Sequence, residues 1–393
     1  MVIAGASVAG VRTAQALRMR GFEGTITLIG EESCHPYDKP PLSKQQLAED
    51  APAAPPPLLS AEELTELDAE LHLGVRATGL DAASQVVRTS AGEHKYDHLV
   101  IATGVTPRTL PGSERAGVRT VRTAADAAFL RSRLACLPRV VVIGAGFIGA
   151  EFAAAANARG CEVTIIEALD TPMSHVLGDR VGARLAELHT RHGVTVRTGV
   201  RFGRFLGDPA VEGVALADGE VLPADLVVVG IGASPATEWL SGSGLPLADG
   251  VECGEDLRVI GYPSVFAAGD VARRPHPHYG EPVRIEHWTN AGEHAAVVAS
   301  AITGTPAPRA QAPYVWSDQY GHRVQIAGLP SRGTLAHLAG EGPDDLVAVY
   351  ADDEGRVVGC VVVDDARAFM KLRKAVTKGI GVEELEPPHA LRA

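Results

Sequence analysis

Short apolar runs alternate with stretches of helical period along most of this chain. Met1-Val-Ile-Ala is a compact apolar run, Val11 to Arg20 has helical period, and Thr25-Ile-Thr-Leu-Ile is apolar again. Short runs of branched residues bounded by glycine read as buried strands, and the periodic stretch between them reads as a crossover helix. The same order returns with Arg139-Val-Val-Val-Ile, Phe147 to Arg159 and Glu162-Val-Thr-Ile-Ile. Each copy then runs through an acid and a β-rich segment to an apolar strand ending in glycine. These are Leu99-Val-Ile-Ala-Thr-Gly104 and Leu226-Val-Val-Val-Gly230. Pro263 to Asp270 predicts one more strand ending in Gly-Asp, and Ala291 to Thr303 is helix-like. From about residue 314 the pattern changes. Strands at Tyr314 to Gln319, Arg323 to Ala327, Leu346 to Tyr350 and Val357 to Val363 precede a basic helix, Ala366 to Thr377. The expected class is α/β, with two Rossmann-like dinucleotide-binding domains and a C-terminal α+β domain.

Each repeat carries a glycine loop between its first strand and its helix. The first is Gly5-Ala-Ser7-Val8-Ala9-Gly10, followed by Glu31; the second is Gly144-Ala-Gly146-Phe147-Ile148-Gly149, followed by Glu167. In such a loop the first glycine makes the tight turn, the second admits the pyrophosphate, and the third lets helix and strand pack closely. The helix N-terminus then faces the phosphates. A carboxylate about 20 residues on can accept the ribose 2′-hydroxyl. Ser7 stands where the pattern has glycine. Two such loops imply two dinucleotides, as in an enzyme that passes electrons from one to the other.

Composition narrows the class. A chain of 393 residues suits two or three domains. Net charge is −12, which argues against a nucleic-acid protein. No charged leader precedes the first strand, and no apolar stretch reaches ~18 residues, so a cytoplasmic protein is expected. Cys34, Cys136, Cys161, Cys253 and Cys360 are widely spread, which excludes a C-x-x-C redox pair and the paired spacings of zinc sites. His276-Pro-His278 reads as a loop, and no metal is expected.

The chain resembles the FAD-dependent pyridine-nucleotide reductases, specifically the ferredoxin reductases of bacterial oxygenase systems, of the putidaredoxin reductase and biphenyl dioxygenase reductase type. The resemblance rests on Pro36-Tyr-Asp-Lys39-Pro40-Pro-Leu-Ser-Lys44, Ala102-Thr103-Gly104, the second loop through Glu151, Phe266-Ala-Ala-Gly269-Asp270, Glu286-His287-Trp288 and Trp316-Ser-Asp-Gln319. It implies a discontinuous FAD domain (1–107 and 227–313), an NAD domain (108–226) and a C-terminal interface domain (314–393). The first loop with Glu31 and Glu32 would hold the ADP half of tightly bound, non-covalent FAD. Ala102 to Gly104, Arg122, Gly269, Glu286 and His287 would add contacts, and Asp270 would accept from the ribityl chain. Lys44 would lie beside the flavin, paired with Glu151 in the first turn of the second helix. Lys39 stands where many relatives have arginine, and lysine lacks its bidentate fork. Trp288 and Trp316 would flank the ring, with Trp316 shaping electron exit. The second loop with Gly230, Ile231 and Gly232 would receive the nicotinamide nucleotide.

The resemblance implies hydride transfer from NADH to FAD, then single electrons to a [2Fe–2S] ferredoxin serving an oxygenase. Glu167 would repel a 2′-phosphate, and Ala168 to Asp179 offers no arginine or lysine to receive one, so NADH is expected over NADPH. Arg367, Lys371, Arg373, Lys374 and Lys378, with no acid from Ala366 to Gly381, form a candidate patch for an acidic ferredoxin. The chain is expected as a monomer or homodimer. The alternatives are an NADH oxidase or peroxidase working through Cys34, and a redox-sensing flavoprotein of the apoptosis-inducing-factor type.

Overall fold

The structure, a computed structural model, describes residues 1–385. The chain forms two compact units, each assembled from separated stretches. One takes residues 1–38, 56–106 and 234–313; the other takes 39–55, 107–233 and the chain from 314 onward.

The first unit is built on a five-stranded parallel sheet in the order Val265–Ala267, Leu99–Ile101, Val2–Ala4, Ile26–Gly30, Ala69–Leu73. Strands Val265–Ala267, Leu99–Ile101 and Val2–Ala4 are buried throughout, as uninterrupted branched and apolar runs require when both faces of a sheet are covered. Helices Val8–Met19 and Trp288–Thr303 pack together, and their buried faces join the core of Ile3, Leu28, Leu99, Ile101 and Phe266. An antiparallel meander, Ala77–Asp81, Val86–Thr89 and Gly92–Lys95, follows the third strand of the chain.

The second unit repeats the parallel sheet, in the order Thr195–Arg197, Glu162–Ile166, Arg139–Ile143, Leu226–Val229, Val118–Arg119. An antiparallel sheet completes it, in the order Tyr314–Gln319, His322–Gly328, Val357–Val363, Val347–Ala351, Thr334–Ala339. Helix Ser174–Arg191 lies against this sheet. Its Leu177, Val181, Leu185 and Leu188 share one core with Val324, Ile326, Leu346, Tyr350 and Val361. Tyr350 Oη donates to the Leu177 carbonyl at 2.6 Å. Helix Ala366–Lys378 also packs on the sheet, burying Phe369, Leu372, Ala375 and Val376.

Three elements differ from the expected pattern. Helix Ser174–Arg191 interrupts the segment expected to be β-rich; Gly178, at φ 72°, breaks its helical geometry and hides its period. Strand Thr334–Ala339 goes unmarked because it is a sheet edge with no fully buried residue. The first glycine-loop helix starts at Val8 instead of Val11, which takes Gly10 into its first turn, whereas the second starts at Phe147 as expected. No described helix is long and apolar enough to cross a membrane.

Candidate functional site

Each glycine loop turns its strand into its helix through a backbone contact that admits no side chain. Gly5, at φ +123°, faces the Ala102 carbonyl; Gly144, at φ +99°, faces that of Gly230. A Cβ at either position would overlap the carbonyl oxygen. Gly10 and Gly149 press likewise on the carbonyls of Gly5 and Gly144, so helix and strand touch as the motif requires. Gly146 is different: a Cβ there would meet nothing within 4 Å. Its lack of a side chain leaves open space at the helix N-terminus.

The caps point the same way. Helices Val8–Met19 and Phe147–Ala158 have no side-chain cap and no acid in the first turn. Helices Ala61–Glu66 and Ala124–Leu134 both carry capping boxes. The glycine-loop helices thus leave first-turn N–H groups and a positive dipole end for an anion. Thr123, beside the expected contact Arg122, is the N-cap of one boxed helix, and Arg122 N–H donates to Asp126 at 3.1 Å.

In the first unit, Gly269 at φ +76° brings the start of the Gly-Asp turn against the first loop. A Cβ on it would lie 2.8 Å from the Ala9 methyl. Its N–H donates to His294 Nδ1 at 3.2 Å. Thr103 Oγ1 donates to the Ala236 carbonyl at 2.9 Å. Glu31 is exposed and ion-paired with Arg76, while Glu32 accepts from Tyr37 Oη at 2.6 Å. Arg284 reaches Glu286 at 2.6 Å. The neighbouring His287 has a buried Nδ1 with no partner among the described residues, and burial pushes its pKa down to about 4. Trp288 is partly exposed and donates from Nε1 to Asp38 at 2.7 Å.

In the second unit the central feature is Glu151, 3 % exposed. It is the fifth residue of helix Phe147–Ala158, beyond the first turn where it was expected, so the end dipole gives it little. Its carboxylate is held by side chains instead. Lys44 Nζ and Ser43 Oγ donate to Oε2 at 2.7 and 2.5 Å, and Ser317 Oγ donates to Oε1 at 2.8 Å. Gln319 Nε2 donates to Ser317 Oγ at 3.0 Å. Lys44 also donates to the Pro40 carbonyl at 3.1 Å, and Lys39 reaches the Arg122 carbonyl at 3.3 Å. Ser43, Ser317 and Gln319 were not among the expected site residues, although all three lie in motifs that carry the resemblance.

At the second loop, Glu167 accepts the Ala145 N–H at 2.8 Å and the Leu169 N–H at 2.9 Å. Two backbone donors thus fix its carboxylate at the end of strand Glu162–Ile166. Ile148 is 44 % exposed beside the open space at Gly146, and Gly232, at φ +88°, accepts the Arg108 N–H at 3.0 Å. Gly230 N–H donates to Ile143 at 2.8 Å, next to the half-buried Ile231. Trp316, on strand Tyr314–Gln319, stacks on Tyr314 with centroids 5.7 Å apart. Arg373 lies over the Tyr314 ring at 5.0 Å.

All five cysteines are free. Burial raises the Cys161 thiol and pushes Cys253 and Cys360 up to about 12, which keeps these three unreactive at neutral pH. Cys34 and Cys136 are exposed. The His276 ring accepts the backbone N–H of His278 at 3.3 Å. Among the described residues no group of three or more His, Cys, Asp or Glu could hold a metal ion.

Residues 1–295 match the family described as "Pyridine nucleotide-disulphide oxidoreductase", and 314–386 match "Reductase C-terminal". The chain is 37 % identical over 379 residues to rhodocoxin reductase of Rhodococcus erythropolis, covering 95 % of this chain and 88 % of the relative. It is 36 % identical over 386 residues to the ferredoxin–NAD(+) reductase component of the p-cumate 2,3-dioxygenase system of Pseudomonas putida, covering 96 % and 94 %. Among solved structures, the covalent putidaredoxin reductase–putidaredoxin complex matches with a TM-score of 0.94 and 33 % identity, covering 100 % of this chain and 95 % of that one.

Proposed function

We propose that this chain, which belongs to the pyridine nucleotide-disulphide oxidoreductase family, is the NADH:ferredoxin reductase of an oxygenase system. The observation that carries the reading is the buried Lys44–Glu151 pair in a chain with two uncapped glycine-loop helices. FAD and NAD(H) are its nucleotides. FAD, when bound, supplies the conversion between two-electron and one-electron chemistry.

The chain's own residues divide the work. Residues 1–107 with 227–313 would hold FAD, through Gly5 to Gly10, Gly269 and Asp270. Residues 108–226 would hold NADH, through Gly144 to Gly149 and Glu167. The C-terminal domain, 314–393, would meet the electron acceptor; its residues 386–393 lie outside the described residues. Lys44 supplies a positive charge, and Glu151 keeps its Nζ in one place. A fixed cation favours negative charge building up on an acceptor. Glu167, fixed by two backbone donors, selects NADH by opposing a 2′-phosphate.

The acceptor would be a small acidic [2Fe–2S] ferredoxin, docking near Arg367, Lys371, Arg373 and Lys374 on a monomer or homodimer. A cytoplasmic setting, where NADH is regenerated, goes with this reading. The test is purification with flavin analysis, then NADH- and NADPH-driven reduction of a panel of ferredoxins. Transfer from NADH to at least one of them supports the reading; flavin reduction with no ferredoxin turnover rejects it.

A further inference from the structure

The Glu151 carboxylate is held from more directions than a lysine partner alone demands. Ser43 adjoins Lys44 in sequence and shares its target oxygen, Oε2, so Ser43 and Lys44 move together. Neither fixes Oε1. Oε1 receives its donor from Ser317, 166 positions away on strand Tyr314–Gln319. Ser317 is fully buried, and its hydroxyl is committed on both sides: it donates to Glu151 and accepts from the buried Gln319. A hydroxyl has one proton to give, so the Gln319 contact aims that proton at Glu151.

We propose that Ser317 is a positioning residue for hydride transfer, fixing Oε1 of Glu151 so that Oε2 holds the Lys44 ammonium at one place. The inference rests on the reductase reading above. Ser317 adds no charge and transfers no proton or electron; it acts through the orientation of Glu151. Because Ser317 follows Trp316 directly, the strand that carries this tryptophan also sets the rotation of the carboxylate. A shift of that strand reaches Lys44 through two hydrogen bonds.

The test uses the flavin-loaded protein. Stopped-flow bleaching by NADH should show the limiting rate of Ser317→Ala falling about tenfold, the worth of one hydrogen bond to a charged group. The NADH concentration for half-maximal rate should stay within about twofold, because a lost transition-state contact acts on rate. Ser317→Thr, which keeps the hydroxyl, should restore the rate. A readout independent of flavin chemistry is a double-mutant cycle in thermal unfolding: Ser317→Ala should lower Tm in the native chain and do so less in a Glu151→Ala background. A native limiting rate in Ser317→Ala, or equal Tm losses in both backgrounds, overturns the inference. If NADH fails to bleach the native protein, the reductase reading falls instead, while the unfolding cycle still tests the contact.

Discussion

Lys44 and Glu151 stand 107 positions apart in the chain, yet Nζ lies 2.7 Å from Oε2 and both side chains are withdrawn from solvent, 10 % and 2 % exposed. Such a pair favours neither partner alone. Removing one charge leaves the other buried and unmatched, at a cost of roughly 3–5 kcal/mol, whereas removing both costs far less. Lys44→Met should therefore lower the melting temperature clearly, and Lys44→Met with Glu151→Met should recover much of the loss. Both variants should reduce slowly with NADH, because the fixed cation is gone in each. Melting curves beside stopped-flow flavin reduction separate the two effects. Equal stability of the single and double variants would show that the pair is not coupled.

Nucleotide choice should turn on Glu167. Its two backbone contacts show that the carboxylate also ties the glycine loop at Ala145 to the chain at Leu169, so truncation would damage the loop itself. Glu167→Gln keeps an acceptor for one of these N–H groups and removes the charge. The ratio of kcat/KM for NADPH over NADH should rise by about tenfold or more, corresponding to roughly 1.4 kcal/mol of relieved repulsion. An unchanged ratio would move the selectivity elsewhere in the loop.

The basic helix needs variants chosen by contact. Arg373 lies over Tyr314, which stacks on Trp316, so reversing Arg373 would disturb the aromatic cluster along with the surface charge. Arg367 and Lys374 are exposed on the same helix. Arg367→Glu with Lys374→Glu should weaken ferredoxin reduction and leave reduction of a small neutral dye intact. The difference between variant and native protein should shrink as salt rises, since steering by exposed charges is screened. A salt-independent defect would point to lost packing.

The glycine loops were legible in the sequence because backbone contact permits only glycine at Gly5, Gly10, Gly144 and Gly149, at fixed local spacing. The Lys44–Glu151 pair was legible only through the resemblance. Ser43 and Ser317 were hidden for a physical reason: each reaches Glu151 across more than a hundred residues, and a serine carries no mark of burial. Helix Ser174–Arg191 was lost to its glycines, and with it the core it shares with the C-terminal sheet.

That shared core carries an acid-sensitive contact. His189 on helix Ser174–Arg191 is buried, and its Nδ1 lies 2.8 Å from Tyr320 Oη, whose ring His192 stacks at 4.2 Å. Burial, with a smaller effect from His192, pushes the His189 pKa down to about 4 from the ordinary 6.5. Between those values the unfolded chain binds a proton that the folded chain refuses, so stability rises with pH across that window. The contribution is whole above about 6.5 and is lost as pH falls toward 4. His276 and His287, also lowered to about 4 by burial, act in the same sense. The urea midpoint should therefore drop between pH 7 and pH 5, and His189→Gln, which cannot take up a proton there, should show a shallower drop. A variant with the native slope would remove His189 as a source of the acid sensitivity.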